Sequence, residues 1–224
     1  PRGIMTSGSE EPNAIVQVNP GTNRTEPNVR ATEVEIYEGL EASSQNCWPS
    51  VEFDIGGINN FLSPFFPAGF YYKTFMWPAS FWEKYEFFIR HSAGLGKSPT
   101  SSDPDIYDHR NIHCDVLVVG AGISGILAAK NAAKNNFKTL LVDEKNELGG
   151  STIYENNEFN KIDNKTPSEW LKKEIEELKN IKNLEIKTRT SVAAYHQYNY
   201  LLARENLTDH LEAKDKTNKI RQRL

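Results

Sequence analysis

Apolar residues are distributed unevenly along this chain, and the spacing changes character part-way. Near the start, Ala14-Ile15-Val16-Gln17-Val18 is a short apolar run among Pro, Gly, Asn and Thr, and it predicts a strand between loops. Thr32-Glu33-Val34-Glu35-Ile36-Tyr37 alternates polar and apolar, the pattern of a half-buried strand. Aromatic residues dominate 61–90, where Pro64, Pro67 and Pro78 interrupt any early helix. After Pro78, Phe81, Trp82, Tyr85 and Phe88 fall at helical spacing and predict a helix from about Ala79. So many large rings in a short segment predict packing against another domain or subunit. Residues 94–111 read as a polar linker carrying Gly94, Gly96, Pro99 and Pro104.

Beyond the linker the pattern becomes regular. Cys114-Asp115-Val116-Leu117-Val118-Val119 is a strand with a polar start and a continuous apolar body, as in a parallel strand buried on both faces. A glycine-rich turn follows at Gly120-Ala121-Gly122-Ile123-Ser124-Gly125, then a small-residue helix through Ile126, Leu127, Ala128, Ala129, Ala132 and Ala133. A second strand, Lys138-Thr139-Leu140-Leu141-Val142, ends on Asp143-Glu144. Thr166-Pro167-Ser168-Glu169 is a capping box that opens a helix with Trp170, Leu171, Ile175 and Leu178 on its apolar face. Leu184-Glu185-Ile186 and Ser191-Val192-Ala193-Ala194-Tyr195 predict strands, and Tyr198–Leu202 one more in a connecting meander. The basic stretch from Lys214 to Arg223 reads as a solvated hairpin.

The fold expected is therefore α/β: a Rossmann-like dinucleotide-binding unit of FAD/NAD(P) type over 112–224, preceded by a small irregular α+β segment over 1–111. The order strand, G-x-G-x-x-G, helix, strand, acid carries the chemistry. Gly120 permits the tight turn, Gly122 lets a pyrophosphate approach the backbone, and Gly125 lets helix and strand pack closely. The helix N-terminus offers free N–H groups and a positive dipole end to phosphate. Asp143 or Glu144, at the expected spacing of ~20 residues, is placed to accept from a ribose 2′-OH, which favours NAD or FAD over NADP. Lys145 and the following Gly149-Gly150-Ser151 complete the candidate set, since paired glycines soon after the acid let backbone lie along a cofactor; a plain turn is the alternative. Val192 is a further candidate for an adenine contact.

Charge and composition narrow the class. A net charge of −4 argues against nucleic-acid binding. No apolar run approaches the ~20 residues of a membrane span, and no signal peptide is visible. The first residue is proline, so the chain reads as an excised piece. Only Cys47 and Cys114 occur, at no metal-ligand spacing, so zinc and iron–sulfur sites find no support and both read as buried free thiols of a reducing, cytoplasmic compartment. The five histidines are scattered and none is given a catalytic role.

Several idiosyncratic stretches resemble one family, the alpha subunit of heterotetrameric sarcosine oxidase. They are Pro1-Arg2-Gly3-Ile4, Glu11-Pro12-Asn13-Ala14, Gln45-Asn46-Cys47-Trp48-Pro49-Ser50, Leu62-Ser63-Pro64, and Pro67-Ala68-Gly69-Phe70-Tyr71-Tyr72-Lys73-Thr74-Phe75-Met76-Trp77-Pro78. The glycine-rich unit from Cys114, Thr208-Asp209-His210-Leu211 and Arg221-Gln222-Arg223-Leu224 extend the likeness to the end.

The resemblance implies an N-terminal piece of a longer subunit that works with beta, gamma and delta subunits. It implies an oxidoreductase complex converting sarcosine to glycine, with hydrogen peroxide and methylenetetrahydrofolate formed. FAD and FMN would reside in the beta subunit, and tetrahydrofolate would bind in the missing C-terminal part. NAD would be held at Gly120, Gly122, Gly125 and the Asp143–Glu144 pair, with FAD the alternative occupant. No position matches a catalytic residue of the family, so the stretch alone is expected to be inactive. Some relatives carry a cysteine-rich ferredoxin-like domain, whose cysteines would lie before Pro1. Two other readings stand beside this one: an FAD-dependent subunit acting on another secondary amine, and a non-catalytic assembly subunit whose aromatic segment is an interface.

Overall fold

The computed structural model describes residues 15–19, 25–45, 47, 49–58, 61, 64, 75, 77–92, 95–96, 106–155, 160–211 and 220–223. The chain divides into two compact units, one of residues 1–103 with 211–215 and one of 104–210 with 216–224. Most of the aromatic run, the Gly/Pro stretch 97–105 and the basic stretch 212–219 lie outside the described residues.

In the first unit, strands β1 (Ile15–Asn19), β2 (Glu26–Arg30) and β3 (Glu41–Ser44) form an antiparallel sheet in the order β2-β1-β3. Ile15 and Val18 are its buried apolar anchors. The alternating stretch at 32–37 is not the strand its pattern predicts. Residues 31–33 make a 3-10 turn, and Ile36 is 87% exposed, so the alternation has no sheet to face. The pairing falls instead on Glu26–Arg30, where Asn28 adopts φ 60° and exchanges hydrogen bonds with the Gln45 side chain at 2.9 and 3.0 Å. Neither β2 nor β3 carries an apolar pattern from which to read it.

A 3-10 turn at Ala79–Phe81 leads into helix α1 (Trp82–Ser92), where helical spacing of aromatics predicts one. Tyr85 is clasped by Phe75 and Phe81, at ring separations of 5.2 and 6.2 Å. Trp77, Trp82, Phe87 and Phe88 are exposed.

The second unit holds two sheets. Strands β5 (Val116–Val119), β6 (Thr139–Val142) and β7 (Leu184–Lys187) are parallel, in the order β5-β6-β7. Helix α2 (Ile123–Lys134) crosses from β5 to β6, and helix α3 (Pro167–Lys179) lies between β6 and β7. Their shared core contains Ala121, Ile126, Ala129, Leu141, Leu148, Trp170, Leu171 and Leu178. The strand buried at every position is β6; β5, expected to be buried on both faces, is only half-buried and Val119 is 57% exposed. The physical reason is position: among the described strands β5 is paired on one side only.

The second sheet runs β4-β10-β9-β8, built from β4 (Ile106–His109), β8 (Thr190–His196), β9 (Tyr200–Asn206) and β10 (Ile220–Arg223). Part of the stretch read as linker is therefore a strand, paired in parallel with β10. The meander strand predicted over 198–202 begins at Tyr200, because Tyr198 and Asn199 take positive φ and turn the β8–β9 hairpin. Cys47 and Cys114 are free, as expected, but half-buried rather than buried, and burial pushes the Cys114 thiol up.

Local chemistry explains the helix ends. The Thr166 hydroxyl accepts from the Glu169 amide at 3.3 Å, and the Glu169 carboxylate accepts from the Thr166 amide at 3.1 Å. The Asn183 side-chain amide donates to the carbonyls of Ala133 and Phe137, closing the C-terminal end of α2. We expect Thr166→Ala to cost about 1 kcal/mol, read as a lower urea midpoint; an unchanged midpoint would show the cap contributes nothing. The Thr166 hydrogen bonds hold the Glu169 carboxyl below its ordinary value, so this contribution is present at neutral pH and is lost as pH falls through the carboxylate range.

Candidate dinucleotide site

The parallel strands deliver their C-terminal ends to one place, and the turn there is glycine for three separate reasons. Gly120 takes φ +93° as the chain leaves β5, and its N–H donates to the Val142 carbonyl at 2.8 Å. Gly122 is the extended residue that opens α2, and a Cβ placed on it would meet nothing within 4 Å. The space beside it is open, as backbone that receives a ligand must be. Gly125, one turn into the helix, faces the other way: a Cβ there would strike the Gly120 carbonyl oxygen. Ile123 and Ser124 complete the first turn of α2, which carries no acidic residue, so the positive end of its dipole is not offset by its own side chains.

Ala121 is wholly buried, and both of its backbone groups are engaged. Its N–H donates to Asp143 Oδ2 at 2.6 Å, and its carbonyl accepts from the Gly149 N–H at 2.7 Å. The other carboxylate oxygen of Asp143 accepts from the Lys145 N–H at 2.8 Å. Asp143 is fixed through its backbone as well, by Thr190 N–H donating to its carbonyl at 2.7 Å and its own N–H donating to Lys187 at 3.0 Å. Glu144 follows on the exposed side of the bend.

The structure brings the paired glycines to the turn. Gly149 and Gly150 adopt φ +128° and +57°, where glycine has an advantage over any side chain. A Cβ on Gly149 would sit 2.5 Å from Leu171 Cδ2, and one on Gly150 would sit 3.2 Å from Gly122 Cα. Gly150 therefore lies against the Cα and amide of Gly122 and leaves its open side free, and it begins a 3-10 turn (Gly150–Tyr154) that includes the exposed Ser151. Lys145 holds its ammonium 5.8 Å from the centre of the exposed Tyr154 ring. Val192 is half-buried in β8, two residues past Thr190.

Sequence reasoning missed Tyr154 and the backbone support from Lys187 and Thr190, because neither has a motif. Among the described residues no group of three His, Cys, Asp or Glu is placed to hold a metal, and no helix is long and apolar enough to cross a membrane.

Comparison with known proteins follows this geometry. Residues 115–213 match the FAD dependent oxidoreductase family. The sarcosine oxidase subunit alpha of Rhizobium meliloti is 48% identical over 94% of this chain, which covers 21% of that protein. The chain is related to sarcosine oxidase alpha subunits. The subunit from Corynebacterium sp. strain U-96 is 30% identical across 100% of the chain and 18% of its own length. The chain thus spans about a fifth of the length of these relatives. A solved L-proline dehydrogenase from P. horikoshii overlaps 53% of the chain and 22% of its own, at TM-score 0.40 and 20% identity.

A second family match covers residues 1–47, a 2Fe-2S iron-sulfur cluster binding domain. The cysteine count alone gave no sign of it. A cluster of this kind is held by four thiolates. The matched stretch carries one cysteine, Cys47, whose Sγ donates to Ser44 Oγ at 3.2 Å. The residues of this stretch therefore do not make up a cluster site.

By contrast the turn fits a dinucleotide: an open Gly122, an α2 N-terminus without acidic residues, and a Gly150 whose lack of a side chain lets it pack on the Gly122 backbone.

Proposed function

We propose that this chain is the dinucleotide-holding part of a sarcosine oxidase-type alpha subunit. In this reading the complex oxidatively demethylates sarcosine, or a closely similar secondary amine, with the redox chemistry assisted by flavins in partner subunits. The observation that carries the proposal is the open side of Gly122, which Gly150 leaves free by packing on the Gly122 backbone instead, within a chain similar almost end to end to part of such subunits. Gly122, Ile123, Ser124 and Gly150 would lie along the pyrophosphate, Gly120 and Gly125 would shape the turn, and Glu144, Lys145 and Ser151 would flank the nucleoside. The dinucleotide itself supplies a hydride-accepting ring when bound; the residues here bind and orient it. NAD is the occupant favoured by the likeness to the alpha subunit.

FAD at the same turn is the second reading, favoured by the family to which residues 115–213 match. Nucleotides released on denaturing the natural full-length subunit, alone and with its partners, decide between them. Stoichiometric NAD from the subunit alone, with flavin only when partners are present, is the expected result. FAD released from the subunit alone would move the redox chemistry onto this chain. No nucleotide in either preparation would sink the proposal.

A further inference from the structure

The bend that carries the acid after β6 is held by three backbone hydrogen bonds from one later stretch of chain. The Asp143 N–H donates to the Lys187 carbonyl at 3.0 Å, the Thr190 N–H donates to the Asp143 carbonyl at 2.7 Å, and the Arg189 N–H donates to the Lys145 carbonyl at 2.9 Å. All three partners lie in the corner where the chain leaves β7 and enters β8, and Arg189 takes φ 52° to make that corner. The corner is in turn held by β9. The Asn206 N–H donates to the Arg189 carbonyl at 2.9 Å, and Lys187 Nζ donates to Glu205 Oε2 at 2.8 Å. The Lys187 and Glu205 side chains are only 16% and 13% exposed, so solvent ions screen this pair little. Glu185, the other carboxylate near Lys187, is 3.7 Å away and 53% exposed. Lys187 thus bears on both sheets of the second unit: its carbonyl holds the end of β6 and its ammonium holds β9.

We propose that Lys187 and Glu205 are positioning residues for the nucleoside end of the dinucleotide. Their ion pair ties β9 to the 187–190 corner, and the corner sets where Asp143 and Glu144 stand relative to the glycine turn. This rests on the reading of the turn as a dinucleotide site. It goes further by making recognition of the nucleoside depend on the second sheet, through two residues that no motif marks. The phosphate-facing turn has support of its own, from the Gly120 N–H bonded to Val142 and from Gly125 packed against the Gly120 carbonyl. One side-chain bond, from the Ala121 N–H to Asp143 Oδ2, joins bend and turn. Loosening the corner therefore displaces the acid more than it displaces the turn.

The test uses the full-length subunit and two probes. ADP, common to NAD and FAD, reads nucleoside and phosphates together; inorganic pyrophosphate reads the turn alone. Glu205→Leu is close to glutamate in size and leaves Lys187 with Glu185 only, which draws the ammonium toward solvent and away from β9. ADP binding is expected to weaken about tenfold, while pyrophosphate binding stays within about twofold of wild type. Wild-type ADP affinity in the variant would overturn the proposal. So would an equal loss for both probes, which is what a general loss of structure produces.

Hydrogen exchange in the nucleotide-free subunit supplies a readout that does not depend on binding. In Glu205→Leu the Asp143 and Thr190 amides should exchange faster, while the Gly120 amide stays as slow as in wild type. Unchanged exchange at Asp143 and Thr190 would show that the ion pair does not hold the bend, and would overturn the proposal. If neither probe binds the wild type, the dinucleotide reading itself falls and takes the nucleoside role with it. If both bind the wild type and the variant alike, only the role of Lys187 and Glu205 falls.

Discussion

Replacing Gly125 by alanine is expected to destabilise the second unit by about 3 kcal/mol and to lower affinity for ADP on the order of a hundredfold. The added Cβ would strike the Gly120 carbonyl oxygen, which is backbone and has nowhere to turn. Gly120 is itself fixed at φ +93° with its N–H bonded to Val142, so relief requires α2 to move off β5. That helix buries Ile126, Ala129 and Ala133, and moving it opens the core that Leu141 and Trp170 share. Gly122→Ala is the informative contrast. Its φ of −69° suits alanine, and no atom lies within 4 Å of the new Cβ, so stability should be unchanged while nucleotide binding is lost. Urea unfolding and ADP titration of both variants separate the two roles. Wild-type stability and binding in Gly125→Ala would contradict the packing described here.

Glu174→Ala is expected to cost about 3 kcal/mol, a large effect for a charged residue. Glu174 is 5% exposed on the face of α3 otherwise occupied by Trp170, Leu171 and Leu178. It meets Lys130 of α2 at 2.5 Å, and Lys130 also donates to Glu177 at 2.7 Å. Removing the buried carboxylate leaves the largely buried Lys130 ammonium with the more exposed Glu177 carboxylate as its remaining partner and opens a gap in the α2–α3 packing. Replacing both partners together, as Lys130→Met with Glu174→Leu, should come close to neutral, since the desolvation of both charges disappears with their attraction. A double-mutant cycle read by urea unfolding checks this; additive losses would mean the pair does not interact.

The pH dependence of this pair has a definite sign. Burial acts to lower Lys130, but the hydrogen bonds it gives Glu174 and Glu177 outweigh that and hold the ammonium above its usual value. Its contribution is therefore fully present below the ordinary lysine range and is lost only as pH rises through it. The Glu177 carboxyl is held low by its bond to Lys130, so that contribution is lost on acidification through the carboxylate range.

The elements legible in the sequence were those whose signal is local. The apolar run to Val119, the glycine spacing at 120–125, the small-residue helix after it and the Thr166–Glu169 cap each state their structure within a dozen residues. Where the signal was a pattern without a partner it misled: 32–37 alternates like a strand but has no sheet to join, and β2 and β3 pair without any apolar pattern. Nothing local distinguishes Glu174 from the other glutamates of α3, since the helix position that Lys130 reaches from α2 has no mark in the sequence.

The same division runs through the candidate site. Sequence by itself determined the turn, its helix and the acid beyond it, because covalent spacing sets which residues follow a strand and backbone sterics reserve those positions for glycine. Tertiary structure alone decided that Gly150 lies on Gly122, that Ala121 is closed off by Asp143 and Gly149, and that β6 rather than β5 is the buried strand. Those are contacts between segments more than twenty residues apart, fixed by how two helices and three strands share one core, and no local spacing encodes them.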